Sequence, residues 1–327
     1  MEYRTLTVAE CLERLLAPAP TCILFHVNPD ADAVGSAFAL AAFLEAQGSP
    51  CYCVCANEVP ERLQFLTNGV QKSVRPASVP DAFADARIIT VDTASPAQLG
   101  ALYELYGERI SLMIDHHGKG TPYADHLIVP AAAACGEIVF DLIAASGKEA
   151  PEACAALLYA AVSSDTGGFR HSNVTADTHL RAAALVGSGI DVAELSRRLF
   201  ETKSMPQLRA EKLAMERMHF YADGRIAIAA ISFDDKQFNK LEDEHLSTVV
   251  DVARSVAGVD VAVAIRQPGR DGVFRVSMRA NADIDVSEIC AVFGGGGHKR
   301  ASGATMTAAG IADAEAKVLA EIVAKIG

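Results

Sequence analysis

No apolar run in this 327-residue chain reaches the length of a membrane span. Its start, Met1-Glu2-Tyr3-Arg4-Thr5, lacks the basic and then apolar pattern of a signal peptide. Both absences predict a cytoplasmic protein with no membrane partner. No Cys-x-x-Cys pair occurs among the eight cysteines. Cys51, Cys53 and Cys55 alternate, so on a strand they would face one side, but no fourth nearby ligand supports a soft-metal site. Small buried residues with reduced thiols are expected. Positive charge is also scarce: 29 Lys and Arg stand against 41 Asp and Glu, a net charge of −12. A protein that tracks a long nucleic acid wants a basic stripe, so a long duplex is not expected as a partner. Beyond one glycine run at 294–297 there is no low-complexity stretch, and there is no internal repeat.

What the chain does have is a full complement of core residues, 50% hydrophobic against 21% charged. The length suggests about two domains. Strand-like and helix-like runs alternate through residue 188. Strands fall near 21–26, 51–55, 87–92 and 110–115, and helices near 33–47, 135–146, 151–163 and 176–188. Such alternation predicts an α/β fold with a largely parallel sheet. Residues 190–221 are charged and helical in pattern and read as a helical connector. Strands resume near 225–232, 259–266 and 273–280, with helices near 246–257, 285–293 and 311–326. That pattern predicts a smaller α/β domain. The expected division is 1–189, 190–221 and 222–327.

The most informative cluster is Asp115-His116-His117, at the end of the apolar run Ile110 to Ile114. Two imidazoles and a carboxylate at a strand end are costly in a core and useful to a metal. Three more clusters share this placement. His26, Asp30 and Asp32 lie on a strand–loop–helix joint, where α/β proteins place ligands. A helix N-cap is a sufficient reason for Asp32 alone, and turn chemistry for Pro29; the three together point to metal. Asp92 ends the β-branched run from Arg87, and Asp165 follows an apolar helix and precedes Thr166-Gly167-Gly168. Each of these two is ambiguous by itself. Carboxylates and imidazoles without cysteine suit a hard or borderline divalent ion such as manganese. The ligands are too many for one ion. Two ions roughly 3.5–4 Å apart, bridged by a carboxylate and a water, would use them, acidify water and screen a phosphoryl group.

In this order, His-x-x-x-Asp-x-Asp, Val-Asp-Thr, Asp-His-His and Ser-Asp-Thr-Gly, the chain resembles the DHH phosphoesterase superfamily. Val276 to Ala280, Asp285-Val286 and Phe293 to Gly303 resemble its DHH-associated C-terminal domain. The resemblance covers nearly the whole chain. Size and layout look most like the bacterial nanoRNase/pAp phosphatase group, which degrades very short oligonucleotides and dephosphorylates adenosine 3′,5′-bisphosphate (pAp). It implies two divalent ions, most like Mn2+. His26, Asp30 and Asp92 would hold one. Asp32, Asp92, His116 and Asp165 would hold the other, with Asp92 as bridge. Asp115 would fix the histidines, and His117 would contact the phosphate or assist the leaving group. Arg279, His298, Gly295, Gly296 and, more weakly, Arg300 would bind substrate from the second domain. Glycines admit backbone N–H groups to an anion, and Arg279 can grip a phosphate with two prongs. A flexible linker is the plainer account of the glycine run; His298, Lys299 and Arg300 directly after it argue against that.

The implied reaction is metal-assisted hydrolysis of short RNA or DNA oligonucleotides, or of pAp, in a pocket that passes no long duplex. A homodimer is compatible with all of this. Other readings are a linear or cyclic dinucleotide phosphodiesterase (pApA or c-di-AMP), an inorganic pyrophosphatase, and a catalytically silent nucleotide-binding module. The glycine–His–Arg run argues against the pyrophosphatase, and the intact ligand set against the silent module. Two stretches depart from the family pattern. Gly118-Lys119-Gly120-Thr121 stands where a more polar stretch is expected, and Ala131 to Glu137 where Ser and Thr are expected. Neither is expected to touch a ligand; both bear on substrate preference.

Overall fold

The computed structural model describes residues 3–67 and 80–326. The chain divides into two compact units, Met1–Thr202 and Lys203–Gly327. The first unit runs α1 (Val8–Leu16), β1 (Thr21–Leu24), α2 (Ala31–Ala46), β2 (Cys51–Val54), β3 (Arg87–Val91), α3 (Ala101–Tyr106), β4 (Ile110–Asp115), β5 (His126–Ile128), α4 (Cys135–Ala145), α5 (Glu152–Asp165), α6 (Ala176–Gly187) and α7 (Val192–Ser196). Its sheet has the order β2-β1-β3-β4-β5, and every neighbouring pair is parallel. Chain direction across the sheet reverses between β1 and β3. In open parallel sheets the C-terminal ends at such a point form the ligand crevice.

The strands are buried nearly throughout, as a sheet covered on both faces requires. On one face lies α2, buried from Ala31 through Leu44 and packed closely on α5 and α4. A helix that is apolar all round belongs inside a fold. The contact needs glycine. A Cβ on Gly35 would sit 2.5 Å from the Leu157 carbonyl oxygen, and one on Gly136 would sit 2.6 Å from Ala161 Cβ. Gly35→Ala is therefore expected to destabilise the fold by about 1–3 kcal/mol, the usual cost of overpacking. Denaturant melts check this; an unchanged midpoint would mean that the two helices separate freely.

The second unit runs α8 (Met205–Glu216), β6 (Met218–Tyr221), β7 (Ile226–Ile231), α9 (Phe233–Asn239), α10 (Val249–Arg254), β8 (Val261–Arg266), β9 (Val273–Ala280), α11 (Val286–Val292), β10 (Gly296–His298), β11 (Ala301–Thr307) and α12 (Ile311–Ile326). Its six-stranded sheet has the order β10-β11-β9-β8-β7-β6, and only β7 and β8 run parallel. Val263, Ile265, Val276 and Met278 pack with Ile289 and Val318 on one face; Ala262 and Ala264 pack with Val249 and Val250 on the other. Residues 190–221, read as a connector, contribute α7 to the first unit and α8 and β6 to the second. No helix of the described residues is long and apolar enough to cross a membrane.

Candidate metal centre

Three neighbouring strands, β1, β3 and β4, end at one place. His26 lies two residues past β1, Asp92 follows β3, and Asp115-His116-His117 closes β4. His26 Nδ1 faces the Val27 carbonyl at 2.9 Å, which turns Nε2 toward Asp30 (3.8 Å) and Asp92 (3.5 Å). His116 Nδ1 faces the Ala132 carbonyl at 3.3 Å. Its Nε2 points at Asp32 (3.8 Å), Asp92 (3.5 Å) and Asp165 (3.5 Å). Both rings thus present Nε2, with the other nitrogen held by backbone, as metal-bound imidazoles commonly are.

Asp92 lies between them. Its Oδ2 faces His26 and its Oδ1 faces His116. Ligand atoms of His26, Asp30 and Asp92 lie within 4.8 Å of one another, and so do those of Asp32, Asp92 and His116. Asp92 is 2% exposed, and its Oδ1 is buried without a hydrogen-bond partner. Its backbone is left-handed, with φ of 51°. Strain of this kind persists where surrounding structure fixes it, as the 2.9 Å bond from Asp92 N–H to the Ile114 carbonyl does here.

Helix ends deliver the remaining carboxylates. Asp30, rather than Asp32, is the N-cap of α2, and its Oδ1 accepts from the N–H groups of Asp32 and Ala33. Asp32 is instead gripped across the fold. Its Oδ2 accepts from Cys135 N–H at 2.7 Å, and its Oδ1 from Gly136 N–H and Ser36 Oγ, both at 2.9 Å. Asp165 is the last residue of α5. Asn173 ties the segment down by donating to the Asp165 and Ala133 carbonyls. The stretch 131–137 therefore does touch the candidate ligands, through backbone groups of Ala132, Cys135 and Gly136. Main-chain donors leave little mark on residue type, which is why the sequence hides this role.

The electrostatics fit a cation pair. Burial, and then the nearby Asp92 charge, lifts the Asp32 carboxyl to about 7. Burial and the charges of Asp32, Asp30 and Asp92 push Asp165 well above the carboxylate range. Burial disfavours a charged His26, but hydrogen bonds and charges from Asp30 and Asp92 outweigh it and hold its pKa well above 6.5. Buried carboxylates pressed together in this way call for a positive charge, and an all-oxygen-and-nitrogen donor set suits divalent metal ions. Asp115, fully buried, accepts from His117 Nδ1 at 2.7 Å. It holds His117; His116 is held by Ala132.

Residues 20–162 match the DHH family, N-terminal domain, and residues 223–326 match the DHHA1 domain. Over 314 residues the chain is 31% identical to the bifunctional oligoribonuclease and PAP phosphatase NrnA of Thermus thermophilus, covering 95% of this chain and 91% of that protein. The chain belongs to the DHH family. It is also 27% identical over 302 residues to the Bacillus subtilis NrnA of the same description, with 90% and 92% covered. Its fold is similar to that of an exopolyphosphatase-related protein from Bacteroides fragilis, with a TM-score of 0.86 at 21% identity over 97% of this chain and 96% of that one. Like other DHH phosphoesterases, the chain is a metal-dependent hydrolase of phosphoester bonds.

The other site candidates of this DHH chain all lie on the second unit. Arg279 stands on β9 between Ala262 of β8 and Ala301 of β11. It is part-buried, and its Nη1 donates to its neighbour's carbonyl, Met278, at 3.0 Å. The glycine run is no linker: Gly296 and His298 form β10 and pair with Gly303 and Ala301. Gly295 leaves no room for a side chain, since a Cβ there would sit 2.2 Å from the Gly303 carbonyl oxygen. Arg300 is half-buried and donates to the Asn281 carbonyl at 3.1 Å.

Proposed function

We propose that this protein is a manganese-dependent hydrolase of very short oligoribonucleotides and of pAp. One observation carries the reading: Asp92 turns one oxygen toward each of two imidazole–carboxylate groups. His26, Asp30 and Asp92 would hold one ion, and Asp32, Asp92, His116 and Asp165 the other. The ion pair, when bound, supplies acidified water and neutralises phosphoryl charge. The names of the two NrnA relatives support the substrate class. The net charge of −12 favours short substrates over long duplexes.

The protein's own part is orientation and proton supply. Asp115 fixes the His117 tautomer with its proton on Nδ1. Burial works against a charged His117, yet the Asp115 hydrogen bond and the Asp92 charge overcome it and bring its pKa to about 9. Held by Asp115 through Nδ1, His117 would turn Nε2 to the departing oxygen as a hydrogen-bond or proton donor. Arg279, His298 and the backbone at Gly295 and Gly296 bind substrate from the second unit, with Arg300 in a lesser role. The same reading places the enzyme in the cytoplasm, where its eight buried thiols stay reduced.

The test is a product time course against pAp, two- to seven-residue RNAs, pApA, cyclic dinucleotides and pyrophosphate. Short RNA and pAp are expected to be consumed first. Preference for cyclic dinucleotides would move the assignment to a dinucleotide phosphodiesterase. Chelator-treated protein is expected to be inactive and to recover with manganese. Full turnover with metal verified absent would end the two-ion account.

A further inference from the structure

The second unit carries a second cationic site, on the same sheet face as Arg279. Directly opposed residues of paired strands share a face, and every other residue returns to it. The register therefore lays three rows across β8, β9, β11 and β10. One row is Ala262, Arg279, Ala301 and His298. The next is Ala264, Ser277, Gly303 and Gly296. The third is Arg266, Arg275 and Thr305. The middle row is made of small residues, with arginines on either side of it; Ala264 lies under Val249 and Val250 of α10, and Ser277, Gly303 and Gly296 form the more open floor.

The charges of the third row are under-neutralised. Lys236, itself buried, donates to Asp243 Oδ1, and Arg275 Nη1 donates to Asp243 Oδ2 at 3.2 Å. That carboxylate is thereby committed. Among the described residues Arg266 reaches the Asp243 carbonyl at 3.5 Å and Ser277 Oγ at 3.4 Å, both at the outer limit of a hydrogen bond, and its buried Nε finds no partner. Burial, with Arg275 and Arg279 nearby, lowers the Arg266 pKa, and Asp243 opposes this. The Asp251 charge acts on Arg279 and does not figure among those acting on Arg266. Three cations thus share one carboxylate in a chain whose overall charge is strongly negative. An unmet buried donor on a guanidinium is costly unless an anion completes it, and its planar fork matches a phosphate.

We propose that Arg266, supported by Arg275, binds a second phosphate of the substrate, across the small-residue floor from the one held by Arg279. This deepens the phosphoester reading above and rests on it. It assigns preference for substrates with several phosphates to the second unit's sheet. Arg266 is a specificity residue of the second unit, which carries none of the metal ligands proposed above.

The experiment uses the manganese-loaded full chain and two substrates. A 5′-phosphorylated triribonucleotide, pApApA, carries several phosphates; thymidine 5′-p-nitrophenyl phosphate carries one. Arg266→Ala and Arg266→Gln are expected to raise KM for the trinucleotide about 10-fold or more, and to change the aryl ester less than about 2-fold. Arg266→Lys should fall between, keeping charge without the fork. The glutamine variant keeps length and polarity, so it tests the idea even if alanine unfolds the sheet. Equal loss on both substrates would make Arg266 a structural residue and overturn the proposal. So would an unchanged KM for the trinucleotide in a folded variant. A wild-type enzyme that cleaves only the aryl ester would remove the oligonucleotide reading and this inference together. One that cleaves the trinucleotide but is indifferent to Arg266→Gln would remove the inference alone.

Discussion

Asp92→Ala is expected to lower kcat by more than about 10²-fold, beyond the 10–100-fold typical when a residue supporting a metal ligand is lost. The reason is position. Asp92 is the residue whose two oxygens face both His26 and His116. Its loss removes a donor from each group at once, whereas Asp30→Ala or Asp165→Ala removes a donor from one. Bound manganese should fall from two ions per chain toward none or one. Asp92→Asn separates charge from shape. Asparagine tolerates the left-handed backbone of φ 51° found here, so the strand end should keep its form. In chelator this variant is expected to melt close to the wild type, because it relieves a buried carboxylate crowded by Asp32 but loses the attraction of Asp92 for His26 and His117. With manganese the wild type should melt clearly higher than the variant, since the wild type gains more from the ions. Melting curves in both conditions, metal counts and steady-state rates check this. Near-wild-type turnover with two bound ions in Asp92→Ala would move the bridge to another residue.

The parallel sheet was legible because its strands are apolar, β-branched runs that stop at a histidine or aspartate. A strand buried on both faces has no polar alternation to blur its ends. The same stops marked His26, Asp92 and His116, and the fold gathers them at the ends of β1, β3 and β4. What stayed hidden was made by backbone or by small residues. β5 is three residues long and carries little periodicity. β10 is Gly-Gly-His, a composition that strands usually avoid, and only its pairing with β11 makes it one. The grip on Asp32 uses the N–H groups of Cys135 and Gly136, more than a hundred residues away. By sequence Asp32 reads as a possible cap of α2; in the fold Asp30 takes that place and the tertiary grip holds Asp32 instead. Arg266 gave no signal because an arginine closing a strand reads as a solvated end. Its significance depends on where Asp243 directs its carboxylate.

Arg279→Ala is expected to lower kcat/KM for short oligoribonucleotides by about 10²-fold, the effect of removing a charge-assisted, two-pronged phosphate contact. Arg279 is flanked on its sheet face by two small residues, Ala262 and Ala301, and is itself part-buried. Burial lowers its pKa, with the Asp251 charge opposing, so the guanidinium is held partly desolvated. A contact made there is stronger than one in open water. Because Arg279 stands on the second unit and the carboxylate cluster on the first, its loss should leave metal stoichiometry unchanged. The main effect should be a higher KM, with a smaller fall in kcat as loosely held substrate misaligns the attack. Arg279→Lys should recover part of the loss, since it keeps the charge but not the fork. An aryl phosphodiester that engages only the cluster should be affected much less by either change. Kinetics on both substrates, with metal analysis of all three proteins, separate the roles. Loss of metal in the Arg279 variants, or equal loss on both substrates, would make Arg279 part of the scaffold and leave His298 and Arg266 as the second unit's candidates for holding substrate.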